Sequence, residues 1–532
     1  MTTKRPFFSV VTPVYNVALD ILAETIQSVT SQAWPDWQLI LIDDLSPNQA
    51  VRDFLATAAA ADDRISVIYR DTNGGISAAS NDGLAAATGE YVALLDHDDL
   101  LAHGALAQVA AVLLADPKID YLYTDEDKVD LLGNHFETFA KPDWSPERLR
   151  SQMYCAHLSV VRLQLARDVG GFNSAYDGSQ DHDFILKVTE RAGRIHHLAE
   201  VLYHWRAIPE STASSGEAKP YTWHAGLAAV RAHVERIGLD ATVELGGWFG
   251  TYAVHRRLDP TTRVSIVIPT RGTRGFVRGD SRSFVVEAVR SILAKTQHPN
   301  FEVVVVADVS TPADTMAELH ELLAERLVVV PYNKPFNFSE KCNLGFLAST
   351  GDIVVMLNDD VEVIADNFLA ELCGALSEKD VGMTGAYLLY ESGMVQHAGH
   401  RYAERGYKHA FHEHSLGDPG PFCALTVDRE VSGLTAACIA MRREVFVEVG
   451  GFSERLPANF NDVDLSLKVR AAGYRLVWLN RVRLYHFESQ SRVAKVHQWE
   501  LDILRQRWGI PRRDAYSEIA PPEPSRGARA GL

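Results

Sequence analysis

The sequence predicts an α/β protein built twice, each half a doubly wound, mostly parallel sheet. Three observations carry this. Near-continuous apolar runs (FSVVTPV, QLILIDD, ISVIYR, YVALLD) alternate with longer helical stretches (DILAETIQSVTSQ, AVRDFLATAAA, ISAASNDGLAAA), the pattern of strands covered on both faces by crossover helices. YVALL leads straight into Asp96, His97, Asp98 and Asp99, and IVVML leads into Asn358, Asp359 and Asp360. The same series of motifs also occurs twice in the same order, as duplicated domains rather than a short-period solenoid.

Taken along the chain, SVVTPVYN at 9–16 matches SIVIPTRG at 265–272, and Asp44 in WQLILIDDLS matches Asp308 in FEVVVVADVS. Asn81 then matches Asn343, and GGF at 170–172 matches GGF at 450–452. Asp181 in SQDHDF matches Asp462 in FNDVDL, and His204 in LYHWR matches His486 in LYHFE. The offset drifts only from 256 (265 − 9) to 282 (486 − 204). The expected organisation is a first domain over 1–240, a β linker over 241–262, a second domain over 263–511 and a Pro-, Arg- and Gly-rich tail over 512–532 that is expected to be disordered.

A net charge of −17 over 532 residues argues against a general nucleic-acid binder. No apolar run reaches the length of a membrane span, and the N-terminal MTTKRPFFSVV lacks the apolar core of a signal peptide. Five scattered cysteines with no CxxC pair fit a reducing compartment. A cytoplasmic protein is expected, with peripheral contact to a membrane left open.

In doubly wound sheets ligands sit at the carboxyl ends of strands, where Asp43, Asp44, Asp96 and Asp98 fall. An Asp in this position can also cap a helix or close a turn. Three acids in four positions repel one another, and a hard divalent cation, Mg²⁺ or Mn²⁺, is a natural counter-charge. No GxGxxG follows the first strand, which disfavours a dinucleotide oxidoreductase. The Gly-rich N-terminal loop of a sugar nucleotidyltransferase is missing, and the acidic motif comes too late in the chain for an aspartate-nucleophile phosphatase.

The succession PVYN, DD, GEYVALLDHDD, QDHDF and LYHWR resembles glycosyltransferase family 2, once in each half. The nearest look is to two-domain members that build bacterial surface polysaccharides, of the rhamnosyl- and galactofuranosyl-transferase kind. The resemblance implies two tandem GT-A domains with Rossmann-like mixed sheets, a nucleotide-diphosphate sugar donor (UDP- or dTDP-linked), an inverting transfer and a lipid-linked glycan acceptor. By resemblance, Pro13 and Tyr15 line the base and ribose pocket, and Asp44 hydrogen-bonds the pyrimidine. Asp96 and Asp98 form the DxD element with Asp98 on the metal, Asp181 is the catalytic base, and His204 approaches the metal or diphosphate. The second-half counterparts are Pro269, Asp308, Asn358 with Asp359 and Asp360, Asp462 and His486. Arg271 stands where the first half has Tyr15, and Ala307 where it has Asp43, which implies that the halves differ in donor preference. The alternative is one catalytic half and one that binds glycan or organises a complex.

The remaining polar residues have structural expectations. Asp183 and Asp464 are expected to cap helices, and His182, His196 and His197 to pack or face solvent. His409, His412 and His414 in YKHAFHEHS are expected on a solvated or acceptor-facing loop, with metal binding as the alternative. Trp144, Trp205 and Trp248 are expected in the core, and the helix within VAKVHQWELDILRQRWG is expected to pack against a domain.

Overall fold

The computed structural model describes residues 5–207, 220–277, 279–403, 406–487, 496–509, 511 and 513–517. The first sheet runs Ile65–Tyr69, Trp37–Asp43, Phe8–Val14, Tyr91–Leu94, Ser159–Arg162, Tyr121–Val129, Ile195–Arg206, Leu100–Leu101. The second runs Leu327–Tyr332, Phe301–Asp308, Val264–Thr270, Ile353–Leu357, Cys438–Arg442, Val381–Leu389, Arg475–His486, Val361–Val363. Strand for strand, the duplicated sequence has the duplicated order. The first four strands of each sheet are parallel, as expected. Beyond them the sheets are mixed rather than mostly parallel: Ser159–Arg162 and Cys438–Arg442 run antiparallel to both neighbours.

Each sheet is covered on both faces, which is why its strands read as unbroken apolar runs. In Trp37–Asp43, Leu39 and Leu41 pack on one side with Leu22 and Leu55, while Ile40 and Ile42 pack on the other with Ala79 and Leu84, the period-2 alternation of a strand. The helices Gly75–Ala86 and Phe338–Ala348 lie close to their sheets at Gly83 and Gly345. A Cβ on Gly345 would sit 2.3 Å from Val267 Cγ1 and 3.0 Å from Val306 Cγ2. Gly345→Ala is therefore expected to cost about 1–3 kcal/mol by overpacking, read as a lower urea midpoint with unchanged slope.

The repeated Asn and GGF prove to be one clamp used twice. Asn81 donates to Phe172 O and accepts from Phe172 N, both at 2.8 Å. Asn343 makes the same pair of bonds with Phe452, both at 3.0 Å.

Between the sheets, Ala241–Leu245 and Tyr252–Arg256 form an antiparallel hairpin. Its last residue enters a buried charge network joining the halves. Glu147 on the short helix Pro146–Ser151 pairs with Arg256, which also reaches Glu378 at 2.7 Å. Arg150 pairs with Glu147 at 3.2 Å and with Glu378 at 2.8 Å. Glu430 accepts from the Glu147 backbone N at 3.2 Å and pairs with Arg475 at 2.6 Å. Phe139 stacks on Phe422 at 3.8 Å. Most of the tail expected to be disordered lies outside the described residues, but residues 513–517 are placed and ordered by contacts with both halves. Arg513 pairs with Asp143 at 2.8 Å, Asp143 N donates to Ala515 O at 2.7 Å, and Asp514 accepts from Tyr402 N at 2.5 Å and from Ser432 Oγ at 2.8 Å.

The helix Gln498–Trp508 packs on the second half through buried Leu504 and Glu500, whose carboxylate accepts from Asn459 N at 2.9 Å. Cys155, Cys342, Cys373 and Cys438 are buried thiols. Trp144 and Trp205 pack against the core, whereas Trp248, in the turn of the hairpin, is 44% exposed.

Candidate active sites

In the first half, Phe8–Val14, Trp37–Asp43 and Tyr91–Leu94 end side by side and bring Tyr15, Asp44 and Asp96 to one edge. Tyr15 is 48% exposed there. The Pro13 carbonyl is bonded by His97 Nδ1 at 3.0 Å. Asp44 is buried and accepts from Gly74 N at 3.0 Å and Gly75 N at 2.8 Å, at the start of helix Gly75–Ala86, and it pairs with Arg70. Asp43 is held by Ser46 N at 3.1 Å and Arg52 at 3.2 Å. The turn role that the sequence left open for these acids is thus filled, while a carboxylate retains further lone pairs for a ligand.

The three acids after Tyr91–Leu94 divide their work. Asp99 is buried and braces the sheet: it accepts from Tyr203 Oη at 2.6 Å and from Arg206 N at 2.8 Å. The Asp98 carboxyl is pushed up by burial and by Asp96, and its backbone carbonyl accepts from Arg206 Nε at 2.8 Å. Asp96 is partly exposed and has His157 Nε2 at 3.9 Å. His157 stacks on Tyr203 at 4.5 Å and lies 3.3 Å from Glu126, itself paired with buried Lys141 at 2.9 Å. Burial alone would neutralise His157, but Glu126 overcomes it and raises the imidazole to about 9. Part of the positive counter-charge is therefore a protein cation. In a histidine NMR titration His157 is expected to stay protonated through neutral pH and lose its proton near pH 9. Glu126→Gln is expected to lower that midpoint by a unit or more, roughly the size of a lost charged partner.

His204 does not meet Asp98 in any described contact. It lies across from Leu100 in the sheet, and its Nδ1 bonds Asp127 at 2.6 Å, with His135 on the other Asp127 oxygen at 3.0 Å. Asp181 lies in the first turn of helix Gln180–Arg191, its carboxyl raised by burial.

The second half assembles its counterparts more tightly. A cavity of about 460 Å³ is lined by Pro269, Arg271, Asn358, Asp360, Asp462 and His486, among others. His486 Nδ1 faces Gln396 Oε1 at 2.7 Å, and the same amide donates to His486 O at 3.5 Å. That orientation makes Nδ1 the donor and turns the Nε2 lone pair toward Asp360 Oδ1, 3.2 Å away, with Asn358 Nδ2 at 3.1 Å. Two electron-rich atoms converging in this way fit a shared proton or a cation, so the residues suit a divalent metal. When His486 carries the shared proton on Nε2, it outweighs the effect of burial and holds Asp360 below its ordinary range. Asp359 accepts from Thr270 Oγ1 at 2.6 Å and is raised to about 7 by burial and by Asp360. Asp308 pairs with buried Lys341 at 2.6 Å and has Arg271 at 3.6 Å. Asp462 opens helix Asn461–Ala471, with His400 Nε2 4.0 Å from its carboxylate.

Several residues of these sites were not singled out by the sequence: Arg70, His157, Lys341, Gln396, His397 and His400. Only Lys341 left a trace, as a lysine on the inward face of a helix. The expected trio of His409, His412 and His414 is broken up. His412 bonds Tyr390 at 2.8 Å, His414 bonds Asp418 at 2.8 Å, and His409 turns to His397, with 2.8 Å between their Nδ1 atoms. Burial holds His400 down at about 4. Asp183 pairs with Lys187 at 2.8 Å and Asp464 with Arg507 at 3.1 Å, so both are structural as ion-pair anchors rather than as caps. His182 is buried on the Leu149 carbonyl at 2.7 Å, and His197 is buried between Asp125 and Asp143.

Comparison with known proteins adds a lineage to this geometry. Residues 9–169 match the family model described as glycosyl transferase family 2, and residues 261–510 match glycosyltransferase like family 2. Uncharacterized protein y4gI of Sinorhizobium fredii is 41% identical over 520 residues, 94% of this chain and 56% of the relative. O-antigen biosynthesis protein RfbC of Myxococcus xanthus is 36% identical over 520 residues, 97% of this chain and 40% of the relative. The chain thus spans about half the length of these curated relatives. A crystal structure of S. aureus TarS 1-349 in complex with UDP-GlcNAc overlaps 43% of this chain and 66% of that one, at 22% identity and a TM-score of 0.36.

Proposed function

Because the chain belongs to glycosyltransferase family 2, we propose that it carries two inverting transferase sites, in the domains 1–240 and 263–511. These sites move sugars from UDP- or dTDP-linked donors onto a lipid-linked surface glycan. The observation that carries this reading is the second-half cavity, where a strand-end acid, Asp360, a last-strand histidine, His486, and a helix-start acid, Asp462, line one space. The relative named for O-antigen biosynthesis supports the acceptor class.

In this reading Pro269, Arg271 and Asp308 position the base and ribose, as Pro13, Tyr15 and Asp44 do in the first half. Asn358 and Asp359 border the diphosphate, as Asp96 does. Asp462, and Asp181 in the first half, takes the proton from the acceptor hydroxyl as its oxygen bonds the anomeric carbon. The bond to the diphosphate breaks on the opposite face, so one displacement inverts the centre. Asp360 with His486 would hold Mg²⁺ or Mn²⁺, which when bound supplies Lewis-acid charge for the leaving diphosphate; in the first half Asp98 takes that place, with His204 turned to Asp127. No helix among the described residues is long and apolar enough to cross a membrane. We place the enzyme in the cytoplasm, meeting its lipid-linked acceptor at the membrane surface.

One observation favours the second reading, in which only the second half is catalytic: His204 is engaged by Asp127 and His135. Nucleoside diphosphate release across a panel of donors, with an acceptor glycan, separates the two. If both halves transfer, Asp98→Ala and Asp360→Ala each remove release from a different donor or linkage. If the first half only binds, Asp98→Ala releases as wild type does.

A further inference from the structure

His397 ends the strand Val395–His397, and His400 opens the strand His400–Ala403. His409 closes Gly406–His409, directly across from His400 in the antiparallel register. The tight link His397-Ala398-Gly399-His400 depends on Gly399, at φ +92°, where a Cβ would also meet Val431 Cγ1 at 2.6 Å. The backbone thereby converges three imidazoles whose ligating atoms all lie within 4.8 Å of one another. His397 and His400 are buried, and His409 is exposed.

Hydrogen bonding accounts for part of this convergence. Thr435 N donates to His397 Nε2 at 3.3 Å, which leaves the His397 ring proton on Nδ1, shared with His409 Nδ1 at 2.8 Å. It does not account for His400, whose ring nitrogens have Tyr402 Oη at 3.4 Å and the Asp462 carboxylate at 4.0 Å.

We propose that His397, His400 and His409 bind one late first-row divalent ion, Zn²⁺ or a close relative, with water completing the coordination. The donor set separates this position from the one at Asp360. Imidazole suits Zn²⁺, Cu²⁺ and Ni²⁺, whereas carboxylate and water suit Mg²⁺ and Mn²⁺. Zn–N bonds of about 2.0–2.1 Å in a tetrahedron put nitrogens about 3.4 Å apart, so exposed His409 backs away slightly from His397 while the wider separations, up to 4.8 Å, close toward that spacing. Capture through His397 Nδ1 moves that ring's proton to Nε2 and gives up the Thr435 contact, a long hydrogen bond and therefore a weak one. The assignment does not rest on the transferase reading, because its readout is metal binding itself.

The test uses the full chain, stripped with chelator and titrated with Co²⁺ alone, followed by visible absorption and then displacement with Zn²⁺. Wild type is expected to show the intense bands of a four-coordinate nitrogen-rich site at one equivalent, abolished by Zn²⁺. Asp360→Asn should keep them. His400→Ala and His409→Ala should lose them, with Zn²⁺ affinity reduced at least ~100-fold, since even outer-shell changes cost about 10–100-fold. His409 is exposed, so its removal tests the site without a core defect, and a melting curve verifies the fold. The proposal is overturned if wild type shows only weak six-coordinate bands, if His409→Ala retains the intense ones, or if Asp360→Asn abolishes them.

Discussion

Asp360→Ala is expected to cut nucleoside diphosphate release at the second site by roughly 100- to 1000-fold, with the melting temperature little changed. A Lewis acid at a leaving group contributes several kcal/mol, and each decade of rate takes about 1.4 kcal/mol. The Asp360 side chain faces the cavity, and its structural link, Phe487 N to Asp360 O at 2.9 Å, is made by backbone that alanine preserves. Asp462→Asn should behave differently. It leaves donor binding intact and lowers kcat by about 10²- to 10⁴-fold, the usual loss when a general base is removed. The pair of variants thus separates donor activation from acceptor activation in one assay. Full second-donor release by Asp360→Ala would remove that residue from the mechanism.

Glu147→Ala is expected to destabilise the whole chain by about 3–5 kcal/mol, the usual cost of breaking a buried ion pair from one side. Glu147 is fully buried, and its loss leaves two interior arginines, Arg256 and Arg150, to share the single carboxylate of Glu378. Burial by itself would raise the Glu147 carboxyl, but Arg256 and Arg150 overcome it and hold the group at about 2. A depressed folded-state pKa means that the stability from this group is fully present above its ordinary value of 4.5 and is lost as pH falls from there toward about 2. Urea midpoints measured between pH 7 and pH 3 should therefore fall less steeply in Glu147→Gln than in wild type. Equal slopes would mean that the network contributes no net proton linkage.

Much of this architecture was legible because it repeats. FSVVTPV and QLILIDD are strands almost residue for residue, and the acids after them fall at the predicted edge. The reversal of Ser159–Arg162 and Cys438–Arg442 was not legible, since a strand covered on both faces is equally apolar in either direction. The acids of the sites could be read, but their partners could not. Arg70 and His157 look in sequence like any surface cation, Lys341 shows only as a lysine on the inward face of a helix, and only the fold brings the three to Asp44, Asp96 and Asp308. The histidines of YKHAFHEHS were grouped because they are neighbours in the chain. Strand pairing instead turns His409 toward HAGH at 397–400 and sends the others elsewhere. Glu147, Arg256 and Glu430 gave no signal at all, because a charge buried against an oppositely charged partner has the same one-dimensional appearance as a solvated one.

The network of Glu147, Arg256, Glu378 and Glu430, together with the strap of residues 513–517, bears on how the molecule can be divided. Cutting the chain near the hairpin would not yield two freestanding halves. One fragment would keep Glu147 and Arg150 without Glu378, and the other would keep Glu430 without Ser145 and the Glu147 backbone N–H. Swapping either half for that of a relative would meet the same obstacle unless the matching charges travelled with it. Duplication made two copies of one sheet, but the unit that can be inherited, shuffled or engineered as a piece is the couple.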